Sequence, residues 1–236
     1  TTGTLDGTQT HKLVLEGLFG PVHKVTTTKN LQKDKTLADL NISILTLKYS
    51  DDIRKQVKDY NYQDEIDFIV SYDKRNKFIR NLAVDQKGNT LVLFQRVDKH
   101  GKILFDLITD KIPSDRKVFF VSGQTETSDR EAIRKIVEKQ HGAIIVASLG
   151  TFSTGINIRN LHNIIFASPS KSQIKVLQSI GRGLRKADDG SDTRLFDIAD
   201  DLRWKKRNNY TLFHSEERIK IYNNEEFNYK RYDIEI

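Results

Sequence analysis

This sequence predicts an α/β fold in which a mostly parallel sheet carries helices on both faces. Three observations lead there. Short apolar runs recur at 90–94, 117–121, 143–147, 163–167 and 193–198. Several show no polar alternation, as expected of strands buried on both faces. Between them lie segments whose apolar residues keep three- and four-residue spacing, the period of a helix packed along one side. Strands alternating with helices build βαβ units, and ligands on such sheets sit at the carboxyl ends of the strands.

Residues 1–50 read as a connector, with Thr-rich and Gly-containing pieces around short apolar runs, and 41–47 (NISILTL) predicts a strand inside it. From Tyr62 to Val84 the apolar residues Ile66, Ile69, Val70, Phe78, Ile79, Leu82 and Ala83 predict one long helix, ended by Gly88 and Asn89. The strand 90–94 is followed by a polar loop, 95–102, and a helix through Ile103, Leu104, Leu107 and Ile108. After the strand at 117–121, Ser128 and Glu131 form a capping-box pattern that opens a helix through Val137. Strands at 143–147 and 163–167 come next, then a helix over 170–184 and a strand at 193–198. From Leu202 on, Leu212, Ile219 and Ile221 predict a helix packed on the domain.

Composition narrows the function. The 236 residues hold 39 Lys plus Arg and 32 Asp plus Glu, a formal charge of +7. That sign fits either a polyanionic partner or a solvated basic surface, and the segment 203–207 (RWKKR) around Trp204, itself read as a packing residue, fits either a phosphate contact or a helix end facing water. With 37% hydrophobic residues in periodic segments, the whole chain is not disordered. No apolar run approaches the roughly 18 residues of a membrane span, so no membrane partner is expected. Cysteine is absent, which excludes disulfides and thiolate metal sites and fits a reducing compartment, so a cytoplasmic location is expected. The six histidines form no i, i+4 helical pair, so no metal site is expected. The chain opens Thr1, Thr2, Gly3 without a methionine, which predicts a piece of a longer protein.

Three strings carry chemistry. In 178–185 (QSIGRGLR), Arg182 and Arg185 lie three apart on one helix face. Each presents a planar fork suited to phosphate oxygens. In 148–158 (SLGTFSTGINI), hydroxyls and glycines follow a buried strand and offer donors to phosphates. The segments 95–102 (QRVDKHGK) and 122–125 (SGQT) follow two further strands and emerge on the same sheet edge.

These strings resemble the motifs of superfamily 2 helicases. The first fits the family's Q-x-x-G-R-x-x-R motif VI, the second resembles motif V, 91–102 resembles motif IV, and 2–4 (TGT) resembles motif III. The resemblance implies a RecA-like fold, the second motor domain of such an enzyme. It divides the chain into the end of a first motor domain and a connector (1–50), the RecA-like domain (51–200) and a helical tail (201–236). It implies that Arg185 is an arginine finger on the γ-phosphate of ATP, with Arg182 beside it and Gln178 coupling their helix to the nucleotide. Gly155 and Asn157 would approach the nucleotide, and Thr2, Gly3 and Thr4 would link hydrolysis to domain movement. Gln95, Arg96, Lys102, Ser122, Gly123, Ser148 and Thr151 would touch the nucleic-acid backbone. Asn157 stands where many relatives carry Asp, and the interval from Ser148 to Gly155 is one residue longer than in DEAD-box relatives.

No G-x-x-x-x-G-K-[ST] string and no acidic Mg²⁺-holding box occurs in the sequence. ATP and Mg²⁺ would therefore be bound mainly by an N-terminal RecA-like domain of the same protein, and this chain alone should not hydrolyse ATP. The segments 18–21 (LFGP), 150–155 (GTFSTG) and 217–222 (ERIKIY) resemble members that act on branched DNA. Forks, Holliday junctions and R-loops, the last with an RNA–DNA hybrid, are the implied substrates. Two other readings stay open: a nucleic-acid-binding module without motor activity, and a restriction-enzyme translocase subunit, for which the chain shows no nuclease motif.

Overall fold

The computed structural model describes residues 13, 14, 16–18, 20, 21, 40–153, 160–169 and 192–236. Seven strands form one sheet: β1 (Leu40–Lys48), β2 (Thr90–Phe94), β3 (Val118–Val121), β4 (Ile144–Ser148), β5 (Asn163–Phe166), β6 (Thr193–Asp201) and β7 (Tyr229–Glu235). Their order is β3-β4-β2-β5-β6-β1-β7, and every pairing is parallel. This is the parallel α/β sheet that the alternation of strands and helices predicts, and it fits the RecA-like fold that the resemblance implies. The central strands alternate between two cores. Leu91, Leu93, Ile145 and Phe166 face one side, whereas Val92, Phe94, Val146 and Ile165 face the other.

Several elements differ from the sequence reading, each for a physical reason. The predicted helix 62–84 is two helices, Tyr62–Ser71 and Asp73–Asp85, broken at Tyr72, whose ψ of 112° is extended. The Ser71 hydroxyl donates back to the carbonyls of Asp67 and Phe68 at 2.7 and 3.0 Å, and Asn76 Nδ2 donates to the Val70 carbonyl at 2.9 Å. The Tyr72 ring packs on Tyr49 and Phe68. The break turns Arg75 into the core.

The capping box at Ser128 and Glu131 does not form. The helix Thr127–Glu138 starts from Glu126 without a side-chain cap, and Glu131 pairs instead with Arg134 at 2.5 Å. Strand β6 runs to Asp201, three residues past the predicted end. Asp is a poor strand former, yet here Asp200 and Asp201 pair in register with Leu47 and Lys48. Residues 40–48 sit between β6 and β7 as a full member of the sheet. The tail is not helical throughout: the helix Tyr210–Asn224 packs on the sheet, and 229–235 becomes the edge strand β7. Its alternation is blurred because four of its seven residues in succession are exposed, so no period-2 signal marks it.

Strand β6 carries two buried Arg–Asp–Tyr groups on its opposite faces, because Asp197 and Asp200 are three residues apart and strand side chains alternate. On one face Arg75 donates to Asp200 at 2.7 and 3.0 Å, and the Tyr49 hydroxyl donates at 2.7 Å. On the other, Arg218 donates to Asp197 at 2.7 and 2.9 Å, and the Tyr222 hydroxyl donates at 2.7 Å. Burial followed by the adjacent carboxylate pushes the Tyr49 and Tyr222 hydroxyls well above their ordinary range. Arg75 also donates to the Ala167 carbonyl at 2.8 Å, so it ties the end of β5 to the end of β6.

Candidate nucleic-acid interface

The carboxyl ends of β3, β4 and β2 lie side by side. Val121 pairs with Ala147, and Phe94 pairs with Ser148. At roughly 4.8 Å between strands, the segments leaving them are spread over about 10 Å. The structure thus brings together Gln95 and Arg96, Ser122 and Gly123, and Ser148 and Thr151, as the sequence predicts.

The segment 95–102 is not an open loop. Val97–Gly101 forms one turn of π-helix that runs into the helix Lys102–Lys111. Its signature is the Gly101 amide donating five residues back to the Arg96 carbonyl at 2.9 Å. Gly101 is needed there, because a Cβ would come within 2.5 Å of the Phe94 ring. Such single π turns recur at functional sites. This one leaves Arg96, Lys99 and Lys102 outside and drives His100 fully inside.

The basic groups on this turn are held by acids. Arg96 pairs with Asp67 at 2.7 Å and Lys99 pairs with it at 3.0 Å. Lys102 pairs with Asp98 at 2.7 Å. Lys99 first, then Arg96, holds the Asp67 carboxyl below its ordinary range. Exposed pairs of this kind contribute about 0–1 kcal/mol, so a phosphate can replace the carboxylate at little cost. Asp67 carries no motif signal and was not singled out from sequence. Only the fold of helix Tyr62–Ser71 over the strand ends brings it to Arg96.

Ser122 is buried. Its amide donates to Thr125 Oγ1 at 3.0 Å, and its hydroxyl accepts from the Gln124 amide at 3.3 Å. Arg130 then holds the carbonyls of Thr125 and Gly123 at 2.8 and 3.3 Å. The turn is therefore rigid, with Gly123 at its outside. Among the described residues, and apart from its chain neighbours, no atom lies within 4 Å of where a Gly123 Cβ would stand, so its backbone faces open space there. Ser148 ends β4 and leads into the short helix Leu149–Ser153. Its hydroxyl lies 2.6 Å from that of Thr151, and both are buried. The two hydroxyls satisfy each other rather than facing outward.

His100 has both ring nitrogens buried without a hydrogen-bond partner among the described residues. Burial, and then the Arg75 charge, push its pKa well below the ordinary value. In the unfolded chain the ring takes a proton near pH 6.5, so the unfolded state binds more protons below that pH and stability is lost as pH falls. Replacement His100→Leu should flatten the pH dependence of the unfolding free energy from urea titration between about pH 6.5 and 5, by up to about 1.4 kcal/mol per pH unit. An unchanged slope would show that the ring takes up its proton alike in the folded and unfolded chain.

The residues named for nucleotide chemistry, Thr2, Gly3, Thr4, Gly155, Asn157, Gln178, Arg182 and Arg185, and the predicted helix over 170–184, lie outside the described residues. The approach to the 178–185 string is described. The Ala167 amide donates to the Leu93 carbonyl at 3.0 Å, its carbonyl accepts from Arg75, and Ser168 Oγ accepts from the Gln95 amide at 2.9 Å. The chain thus leaves β5 bonded to the candidate backbone-contacting turn. Among the described residues, no cluster of three or more His, Cys, Asp or Glu is placed to hold a metal ion. No helix among them is long and apolar enough to cross a membrane.

The sequence and the fold match known proteins. Residues 73–187 match the family model of the helicase conserved C-terminal domain. Over 226 residues the chain is 38% identical to the ATP-dependent DNA helicase uvsW of Enterobacteria phage T4, covering 90% of this chain and 44% of that protein. The crystal structure of T4 UvsW matches with a TM-score of 0.71 and 37% identity, over 93% of this chain and 44% of that one. The ATP-dependent Type ISP restriction-modification enzyme LlaBIII bound to DNA matches with a TM-score of 0.59 at 14% identity, over 94% of this chain and 17% of that one. Dbp5 of S. cerevisiae, bound to RNA and ADP BeF3, matches with a TM-score of 0.53 at 11% identity, over 96% and 49%. The last two share the fold. The chain spans 44% of the length of the T4 relative.

Proposed function

The chain carries the C-terminal RecA-like motor domain of a superfamily 2 helicase, and we propose that it supplies the arginine fingers and half of the strand-gripping surface of an ATP-dependent DNA helicase or translocase. The observation that carries this reading is the convergence of the turns after β2, β3 and β4 on one sheet edge, in a chain that also holds the 178–185 string.

In this reading Arg182 and Arg185 reach a nucleotide whose phosphates are cradled by another RecA-like domain. Gln178 couples them to it, and Gly155 and Asn157 lie close to it. Thr2, Gly3 and Thr4 transmit the change of state. ATP hydrolysis supplies the free energy. The part of this chain is to grip: Arg96 and Lys102 exchange Asp67 and Asp98 for phosphate oxygens, and backbone groups at Gly123 hold the strand where no side chain intervenes. The bond from the Gln95 amide to Ser168 ties that grip to the segment carrying the fingers.

The finer reading is that the substrate is branched DNA: forks, Holliday junctions or R-loops. It is supported by the likeness of 18–21, 150–155 and 217–222 to helicases of that class. The site of action is then the cytoplasm, the host's if the gene is a phage gene. Single-strand affinity of the chain should fall as salt rises, with a log–log slope of which Arg96 and Lys102 together supply about −1.4, at about −0.7 for each cation on a phosphate. Fluorescence anisotropy between low and moderate salt measures it. A flat line would remove the phosphate-gripping edge, and with it the proposal.

A further inference from the structure

Besides the turns after β2, β3 and β4, the strand-end edge carries a second surface. Tyr62, Tyr210 and Phe213 are 41%, 43% and 49% exposed, far more than aromatic side chains in a core. They are gathered at one place. The Tyr62 ring meets Tyr210 edge-on at 5.9 Å and 75°, and His214 at 5.4 Å and 64°, while Phe213 lies 6.5 Å from His214. None of these rings is stacked flat on another.

The platform is stiffly mounted. Helix Tyr210–Asn224 has no side-chain cap of its own at Asn209. Its first turn is capped from the neighbouring helix by the buried Glu65. One Glu65 oxygen accepts from the Thr211 amide, the Thr211 hydroxyl and Asn209 Nδ2, at 2.8, 2.7 and 3.0 Å. The other accepts from the Tyr210 amide at 3.1 Å. A carboxylate at a helix N-terminus is also favoured by the helix dipole. Helix Tyr62–Ser71 therefore holds the first turn of the second helix in place, and Tyr62 and Tyr210 have little conformational freedom to lose on binding.

The surroundings are cationic. Trp204 and Arg207 close a two-residue turn by reciprocal backbone bonds of 3.2 and 3.0 Å, and its tip is Lys205 and Lys206. Lys205 sits at φ 55°, a conformation that lysine rarely adopts. Both lysines are exposed and enter no ion pair among the described residues. Arg207 reaches back to the Lys58 and Tyr60 carbonyls. Of the nearby acids, Asp59 is engaged by Lys58 and Arg207, and Asp64 is bonded by Asn61. Lysine is depleted in protein–protein interfaces, where aromatics are enriched. Exposed tyrosines beside unpaired lysines instead match single-stranded nucleic acid, which offers base faces to rings and phosphates to ammonium groups.

We propose that Tyr62, Tyr210 and Phe213, flanked by Lys205 and Lys206, form a stacking platform for unpaired bases of single-stranded DNA. Helix Tyr62–Ser71 joins it to the turns already described: Asp67, which holds Arg96, lies five residues beyond Tyr62, about 7.5 Å along the helix axis at 1.5 Å per residue. Five residues at 3.6 per turn place Tyr62 and Asp67 about 140° apart around that axis, so a strand gripped by phosphate at Arg96 meets the rings by passing around helix Tyr62–Ser71. The inference rests on the reading of the chain as a DNA-binding motor domain.

The test uses the 236-residue chain and an oligothymidylate carrying 2-aminopurine, whose fluorescence is quenched on stacking. Tyr62→Ala with Tyr210→Ala should weaken binding by roughly 5- to 150-fold per stacked base and abolish the quenching, with the salt slope unchanged. Tyr62→Phe should behave as wild type, since stacking needs no hydroxyl. Lys205→Ala with Lys206→Ala should leave the quenching and reduce the salt slope by about 1.4. Phe213→Ala, at the most exposed of the three rings, serves if the double variant melts early. If Arg96→Ala weakens binding while the ring variants bind and quench as wild type, the platform is overturned and the proposed function stands. If no oligonucleotide binds, both fall. If the ring variants change only self-association in sedimentation, the patch is a protein contact and the inference is wrong.

Discussion

Arg185→Ala, made in a protein that also contains the domain with the phosphate-binding loop, is expected to lower DNA-stimulated ATP hydrolysis by about 10³-fold or more, the range of arginine-finger losses. DNA affinity should stay near wild type, because the residues assigned to grip lie on the turns after β2, β3 and β4. The size follows from where charge grows. Phosphoryl transfer builds charge on equatorial oxygens, and a planar guanidinium meets two of them at once. Arg185→Lys should recover little, since an ammonium is a compact point charge without the fork. Steady-state phosphate release with saturating forked DNA measures the rate, and a melting curve on each variant separates chemistry from folding. Turnover near the wild-type rate would end the finger assignment and the motor reading built on it.

Arg75→Met is expected to cost about 3–5 kcal/mol of stability, because it strands a buried carboxylate. At roughly 2–4 °C per kcal/mol for a chain of this size, the melting temperature should fall by about 6–20 °C. Among the described residues Asp200 then keeps the Tyr49 hydroxyl as its side-chain partner, and the Ala167 carbonyl loses its guanidinium donor. The pair Arg75→Met with Asp200→Leu should recover most of the loss, since removing both charges leaves no unpaired ion. Calorimetry on the two variants decides it. If the single variant melts with wild type, Asp200 is hydrated and the ion pair does not hold β5 to β6.

The predicted strands at 90–94, 117–121, 143–147 and 163–167 are present within one residue at either end. Their side chains are apolar on both faces, and that demand is written in consecutive residues. Strand β7 and the last residues of β6 were not legible. Asp200 and Asp201 read as polar loop, because an aspartate enters a sheet interior only where cations and hydroxyls meet it. Those partners, Arg75, Tyr49, Lys48 and Arg203, come from 125 or more residues away or from beyond the strand's end. The break at Tyr72 was hidden for the same reason. Helical spacing continues across it, and the side chains that favour the break act through contacts with Tyr49 and with the core.

At the candidate interface, the turns at 95, 122 and 148 could be read from sequence, since each follows a recognisable strand and parallel strands must end on one edge. The state of their side chains could not. Asp67 on Arg96, Asp98 on Lys102, and the mutual bond of Ser148 and Thr151 depend on where neighbouring elements lie. The same holds for Tyr62 and Tyr210, residues 148 positions apart that meet because Glu65 caps a helix it does not belong to.

By itself the amino-acid order determined the layered α/β architecture, the parallel sense of its main strands and the family to which 178–185 points, because hydrophobic period and short motifs are local properties. Tertiary structure alone decided which acids hold the basic turn, where buried arginines lock β6, and which aromatic rings are left facing water. Those outcomes depend on charge pairing and solvent exclusion between segments far apart in the chain, and no local pattern encodes them.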